Sequence, residues 1–278
     1  MGAPSARADR HNPRVTSDRD TLRATFDTEA ERYDRARPRY PDELVADLAG
    51  LTGIGPGSRV LEIAPGTGVL TVPLAALGCA VTAVELGPRL AGVARRNLAA
   101  YPEAEVVVSA FEDWPLPAEP FDAAVCASAA HWFDPVSWVT KICGALRPHG
   151  ALATVGVHHV AGGTPGFSEQ AQACYERWDP GTPPGVRLPA ASDVPRDSRD
   201  LDAAGRLGPV IFRRYERDLE YTSATFTDVL RTYSGTITMD PAAREGLLGC
   251  LADLIDSRYQ GRITKHYMFE LRVARRPG

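Results

Sequence analysis

Residues 60 to 86 read VLEIAPGTGVLTVPLAALGCAVTAVEL: an apolar run, a glycine turn, a helix-like stretch, and a second apolar run that closes on an acid. With Arg59 in front, the first run is short and largely apolar, the pattern of a strand covered on both faces. The stretch after the turn predicts a helix, in which Pro73 must sit early or distort it. "AVTAVEL" predicts a second strand. At the turn, Ala64, Gly66 and Gly68 let the backbone approach a ligand closely and adopt angles that larger side chains forbid. A helix opening there presents free N–H groups that favour electron-rich partners.

The alternation continues outward. "PDELVADLAG" before the turn and "PRLAGVARRNLAA" after it predict helices, and "DPVSWVTKICGAL" predicts another with Asp134 as its cap. "AEVVVS", "FDAAVCASA" and "GALATVGVHH" predict three more strands. Such alternation implies a parallel sheet with helices on both faces. Residues 161–208 break the rhythm with Gly and Pro, leaving one helix around "SEQAQACYERW". The strand "PVIFRRYERDLEYT", the helical stretches "FTDVLRTYSG" and "DPAAREGLLGCLADLIDSRY", and a long last strand "RITKHYMFELRVARR" follow.

The predicted organisation is a tail over 1–20 and a single domain over 21–278, with a cofactor-binding core at 41–160, a variable cap at 161–208 and C-terminal helices and strands at 209–278. The tail is Arg-rich and lacks the apolar centre of a secretory signal. No run of eighteen apolar residues spans a membrane, and a net charge of -4 argues against a nucleic-acid partner. Five cysteines without paired spacing (Cys79, Cys126, Cys143, Cys174, Cys250) read as small buried residues in a reducing cytoplasm. No metal-ligand pattern is present.

Two carboxylates bracket the turn. Glu85 lies 17 residues beyond Gly68 at a strand's carboxyl end, where its oxygens can accept both hydroxyls of a ribose. Glu62 ends the first strand, where an anion repels a pyrophosphate and attracts an ammonium. A dinucleotide turn also requires a small third residue, and here that place holds Thr71. A phosphate-free ligand with a nucleoside at one end and a cationic amino acid at the other is S-adenosylmethionine.

With these features the sequence resembles the class I S-adenosylmethionine-dependent methyltransferases, in particular bacterial small-molecule members of methyltransferase types 11 and 25. The resemblance covers residues 22–157: "FDTEAERYDRARPRYPDEL" is similar to the leading helix of many relatives, "LEIAPGTG" to their glycine motif, "VTAVEL" to the ribose strand, and "SAFEDWPLPAEPFDAAVCASAAHWFD" to the adenine loop and fourth strand. It implies a Rossmann-like, seven-stranded, mostly parallel sheet with an antiparallel last strand and a small helical, irregular lobe over the site. Two departures stand out: Ala64 replaces the first glycine, and Ala110 stands where relatives carry an acid.

The resemblance implies a cofactor set of Tyr33, Arg37, Glu62, Ala64, Gly66, Gly68, Glu85, Leu86, Ala110, Phe111, Glu112 and Ser128. Phe111 would cover the adenine and Glu112 meet its amine, unless they are a core aromatic and a solvated acid. Tyr33 and Arg37 would clamp the methionine end or the acceptor, or else belong to a surface helix. His131, beyond the fourth strand, is the candidate general base, with packing as its alternative role. Trp132, His158, Tyr175 and Trp178 are candidates for the acceptor pocket, with His159 beside them, whereas His266 reads as structural. The expected activity is methyl transfer to a small-molecule acceptor by a monomer or homodimer. A non-methylating protein that binds the same cofactor remains the alternative; a nicotinamide-dependent oxidoreductase fits Glu85 but not Glu62 or Thr71.

Overall fold

The computed structural model describes residues 26–278, and the tail expected at 1–20 lies outside them. A 3-10 turn at Phe26–Glu29 leads into helices α1 (Ala30–Ala36) and α2 (Asp42–Thr52). Strand β1 (Arg59–Ile63), helix α3 (Thr71–Ala76), β2 (Ala80–Glu85), α4 (Pro88–Asn97) and β3 (Ala104–Val108) follow. Next come β4 (Phe121–Ala127), α5 (Pro135–Ala145), β5 (Leu146–His159) and α6 (Phe167–Trp178). After an irregular stretch the chain ends with β6 (Ile211–Thr222), α7 (Ser223–Leu230), α8 (Pro241–Arg258) and β7 (Arg262–Arg275).

The seven strands form one sheet in the order β3-β2-β1-β4-β5-β7-β6. Neighbours from β3 to β5 are parallel, and β7 runs antiparallel to both β5 and β6. Alternate residues of β1 feed two cores, which explains its apolar run. Val60 packs with Leu44, Leu48 and Leu74, whereas Leu61 and Ile63 pack with Trp138, Val139 and Ile142. Helices therefore cover both faces. Because β1 sits between β2 and β4, strand order reverses there, and a crevice opens at the carboxyl ends of the strands.

Local chemistry sets the boundaries. Pro73 is the third residue of α3, in the first turn, where its missing N–H costs nothing. The glycine turn extends to Leu70, so α3 starts later than the sequence pattern predicts. Asp134 caps α5 as expected, its Oδ1 accepting from the Ser137 N–H at 2.9 Å. His266 links the sheet edge as a structural residue, bonding Asp218 at 2.7 Å and Glu216 at 2.8 Å.

The cap at 161–208 lies against β7. At Gly163, with φ of +75°, a Cβ would stand 2.2 Å from the Thr264 carbonyl oxygen, so only glycine passes this crossing. The cysteine expectation needs correction: Cys79, Cys126 and Cys143 are buried and outside any disulfide, but Cys174 and Cys250 form a disulfide between α6 and α8. A sequence separation of 76 hides that pairing, and the packing of Phe167, Ala171 and Cys174 into one core with Leu247, Leu248 and Leu251 creates it.

Candidate active site

The crevice holds a cavity of about 1030 Å³. One end is built on the glycine turn. Glu62 closes β1 on the face opposite Leu61 and is 1 % exposed, and its Oε2 has no hydrogen-bond partner within the protein. Burial pushes its carboxyl up to about 7, opposed by the nearby Thr71 hydroxyl and aided by the Glu85 charge. A buried acceptor left unpaired is costly, and this one lines the cavity, so a cationic donor fits it.

Glu85 closes β2. Its Oε2 accepts from the Gly66 N–H at 2.9 Å and its Oε1 from the Gly87 N–H at 2.8 Å, while burial raises the carboxyl to about 6. The residue thus staples two turns together and keeps lone pairs for further donors. Three of the turn's amides are committed inside the protein: Gly66 N–H to Glu85, Ala64 N–H to Val84 and Gly68 N–H to Pro65, while Pro65 has none. The expected set of free N–H groups is therefore corrected at these positions. A turn so committed is a poor phosphate cradle, while Glu62 and Glu85 suit an ammonium and a diol.

Backbone strain collects here. Ala64 and Ser128 are non-glycine residues in the left-handed region, with φ of 54° and 58°, and both line the cavity. Ala64→Gly is expected to stabilise the protein by about 0.5–1 kcal/mol, the left-handed cost of Ala less the added chain entropy of Gly. Urea denaturation checks this, and a loss of stability would contradict it. Gly66, with φ of +61°, lies under the Tyr33 ring, 3.4 Å from where a Cβ would sit.

Leu86, Phe111, His131 and Trp132 also line the cavity. Phe111 is 2 % exposed and meets Phe133 edge-on, so it is a core aromatic with one side toward the crevice. The exposed His131 stands at the rim with its ring 4.7 Å from that of Trp132, which in turn meets Phe26 at 6.0 Å. Arg37 is held between the rings of Tyr33 and Tyr233, at 4.7 and 4.5 Å, and its Nη2 donates to the Thr232 carbonyl.

Five expected site residues fall outside the lining. Gly68 faces Ala94 of α4, serving helix packing. Ala110 accepts the Asp113 and Trp114 N–H groups in the loop, and the exposed Glu112 offers its carbonyl to Lys141; Ser109 lines the cavity instead. Tyr175 packs into the core that contains α8, and Trp178 lies on Gly246, where a Cβ would be 2.3 Å from its ring. The helix-to-helix contact claims both aromatics.

The other end is floored by β5 and β7 and roofed by the cap. His158, Glu270, Arg272 and Asp200 line it, with Val194 and Pro195 above. Arg272 donates to Thr154 Oγ1 at 3.0 Å, to the Asp197 carbonyl at 2.8 Å and to both Asp200 oxygens at 2.7 and 2.8 Å. Arg214 of β6 grips Glu270 Oε2 at 2.6 Å and the Pro195 carbonyl at 3.1 Å. His159, between the Tyr233 and Tyr267 rings, is held neutral by burial, which with nearby cations lowers it to about 3. Glu270, Arg272, Tyr40 and Tyr233 were not singled out from sequence. The signal was an acid and a base two apart on an apolar strand, "MFELRV".

The fold and this two-ended crevice define an α/β protein with a ligand cavity at the carboxyl ends of its parallel strands. Residues 61–154 match the methyltransferase domain family. An uncharacterised methyltransferase of Mycobacterium tuberculosis is 33% identical over 141 residues, covering 51% of this chain and 55% of that protein. The ubiquinone biosynthesis O-methyltransferase of Xanthomonas campestris pv. campestris is 34% identical over 125 residues, 38% of this chain and 52% of that one. The chain spans about half the length of these curated relatives. In fold alone it resembles phosphoethanolamine N-methyltransferase 2 of Haemonchus contortus, solved with phosphomonomethylethanolamine and S-adenosylhomocysteine (TM-score 0.54, 17% identity, 96% of this chain and 62% of that chain). The likeness to the methyltransferase domain family therefore rests on residues 61–154, the stretch from β1 into β5 that carries the glycine turn.

Proposed function

We propose that the protein transfers a methyl group from S-adenosylmethionine to a small-molecule acceptor of specialised metabolism, a reading the Gly- and Pro-rich cap supports. The single observation that carries the reading is the buried Glu62 oxygen without a protein partner, beside a turn in which the Ala64, Gly66 and Gly68 amides are committed. When bound, the cofactor supplies an electrophilic methyl group on a cationic sulfur. Glu62 holds its ammonium, Glu85 its ribose hydroxyls, and Leu86 and Phe111 the adenine. Tyr33 and Arg37 close over the amino-acid tail, and Phe26 with Trp132 excludes water at the rim.

The acceptor enters the end floored by β5 and β7. In-line displacement depends mainly on holding the reacting atoms in a line, and effective molarities from such positioning are large. Three histidines line the cavity; burial lowers His159 to about 3, which leaves His131 at the rim and His158 on the floor to take a proton from an acidic acceptor. The domain division at 161–208 and 209–278 belongs to the same reading, with the cap as acceptor roof. So does a cytoplasmic monomer or homodimer without nucleic-acid partners. Among the described residues no helix is long and apolar enough to cross a membrane; the Cys174–Cys250 bond runs against a fully reducing compartment. Incubation with methyl-labelled S-adenosylmethionine and a metabolite extract is expected to move label to a small molecule and release S-adenosylhomocysteine. Tight cofactor binding without transfer to any acceptor would contradict the proposal.

A further inference from the structure

Resting on that reading, we infer that His158 and Glu270 form the seat for the acceptor's nucleophile, that the nucleophile is a hydroxyl, and that His158 takes its proton. The sheet register places Gly156 opposite Glu270 and His158 opposite Met268, so His158 and Glu270 are diagonal neighbours on one face. His158 Nε2 stands 3.9 Å from Glu270 Oε1. That gap is too wide for a direct hydrogen bond and leaves room for the acceptor's oxygen beside the ring, its one proton directed to Nε2. Gly156 keeps the space open: a Cβ there would lie 3.4 Å from His158 Nε2.

The surroundings define what sits in the gap. Arg214 holds the other oxygen of Glu270, and the pair is 18% and 6% exposed, so the carboxylate is oriented and its charge is matched. Arg272 is matched by Asp200 in the same way. With Asp197 bound to Arg199, the arginines and carboxylates named at this end are matched to one another, so none of them is left over to select a strongly ionic acceptor. Burial keeps His158 below the ordinary imidazole value, opposed by Glu270 and reinforced by Arg214 and Arg272. A neutral imidazole is therefore ready to accept a proton near neutrality.

The step balances without a further reagent. The acceptor's O–H proton moves to His158 Nε2, the freed oxygen pair forms the new O–C bond, and the methyl C–S bond breaks with its pair going to sulfur. Glu270 then stabilises the imidazolium until the proton passes to water.

The test combines binding, titration and turnover in the full chain. S-adenosylhomocysteine binding is measured first in wild type, His158→Asn, Glu270→Gln and His131→Asn. In NMR of the cofactor-free protein, the His158 ring is expected to titrate below 6.5, to shift lower in Glu270→Gln, and to move when catechol is added. Catechol, 4-nitrophenol and benzyl alcohol are then offered as acceptors against aniline and benzylamine. Hydroxyl transfer is expected in wild type, with a loss of about 10²-fold in kcat for His158→Asn at pH 7 and unchanged S-adenosylhomocysteine affinity. In Glu270→Gln the acidic limb of kcat/KM is expected to move to lower pH, which a packing role would not produce. His131→Asn is assayed beside it, and a larger loss of kcat there than in His158→Asn overturns the inference. A His158→Asn enzyme near wild-type rate, transfer to amines alone, no hydroxyl transfer, or a His158 signal unmoved by catechol overturns the inference. Failure of wild type to bind S-adenosylhomocysteine instead sinks the functional reading beneath it.

Discussion

Glu62→Gln is expected to weaken S-adenosylmethionine binding by about a hundredfold while making the cofactor-free protein more stable at pH 8, since truncating one partner of a buried charge pair typically costs 2–5 kcal/mol. The two effects have opposite signs because the same burial drives both. The folded carboxyl sits at about 7 against an ordinary value of 4.5. A group raised in this way contributes its stability in full below its unfolded value, and that contribution is lost as pH rises through the folded one. At pH 8 wild type therefore carries an uncompensated buried carboxylate, which Gln removes, for a gain on the order of 1–3 kcal/mol. In the complex the ammonium compensates that charge, so the variant loses affinity. Wild-type binding should tighten between pH 6 and pH 8 with release of a proton. Glu85, raised to about 6 by the same cause, leaves part of this pH dependence in the variant. Isothermal titration and thermal unfolding read both effects, and equal affinity in the two proteins would contradict the assignment.

Arg272→Leu is expected to loosen the cap and raise the acceptor KM while leaving cofactor affinity intact. The guanidinium ties β5, β7 and the cap through Thr154, Asp197 and Asp200, and its side chain is 15% exposed. Leucine leaves the Asp200 carboxylate and the Asp197 carbonyl without their donor. Breaking a fully buried pair costs about 3–5 kcal/mol; Asp200 is 36% exposed, so solvent screening reduces this to about 2 kcal/mol. Limited proteolysis between 189 and 200 should accelerate. Unchanged proteolysis and urea midpoint would show that Arg272 does not hold the roof.

The cofactor end was legible because its signals are local. Glycine spacing, the acid at each strand end and the alternation of periods all lie within 27 consecutive residues, where backbone geometry dictates position. Asp134 and Pro73 were legible for the same reason: each acts within one helical turn. The acceptor end was not. Glu270 meets Arg214 only through the pairing of two strands 56 residues apart, and a one-residue slip would send both to the other face. Tyr175 and Trp178 were misassigned because the phase of α6 follows from its contact with α8, sealed by a disulfide across 76 residues. Glu112 looked apt beside Phe111, yet neighbours in a loop need not share an orientation, and Ser109 took the place at the wall.

The most direct measurement is a calorimetric titration of the full chain with S-adenosylhomocysteine and, separately, with NAD, at pH 6 and pH 8. The expected result is saturable binding of the first, tighter at the higher pH, and no heat from the second. Binding of the dinucleotide with no response to the thioether nucleoside would overturn the assignment of Glu62 as the anchor of an ammonium.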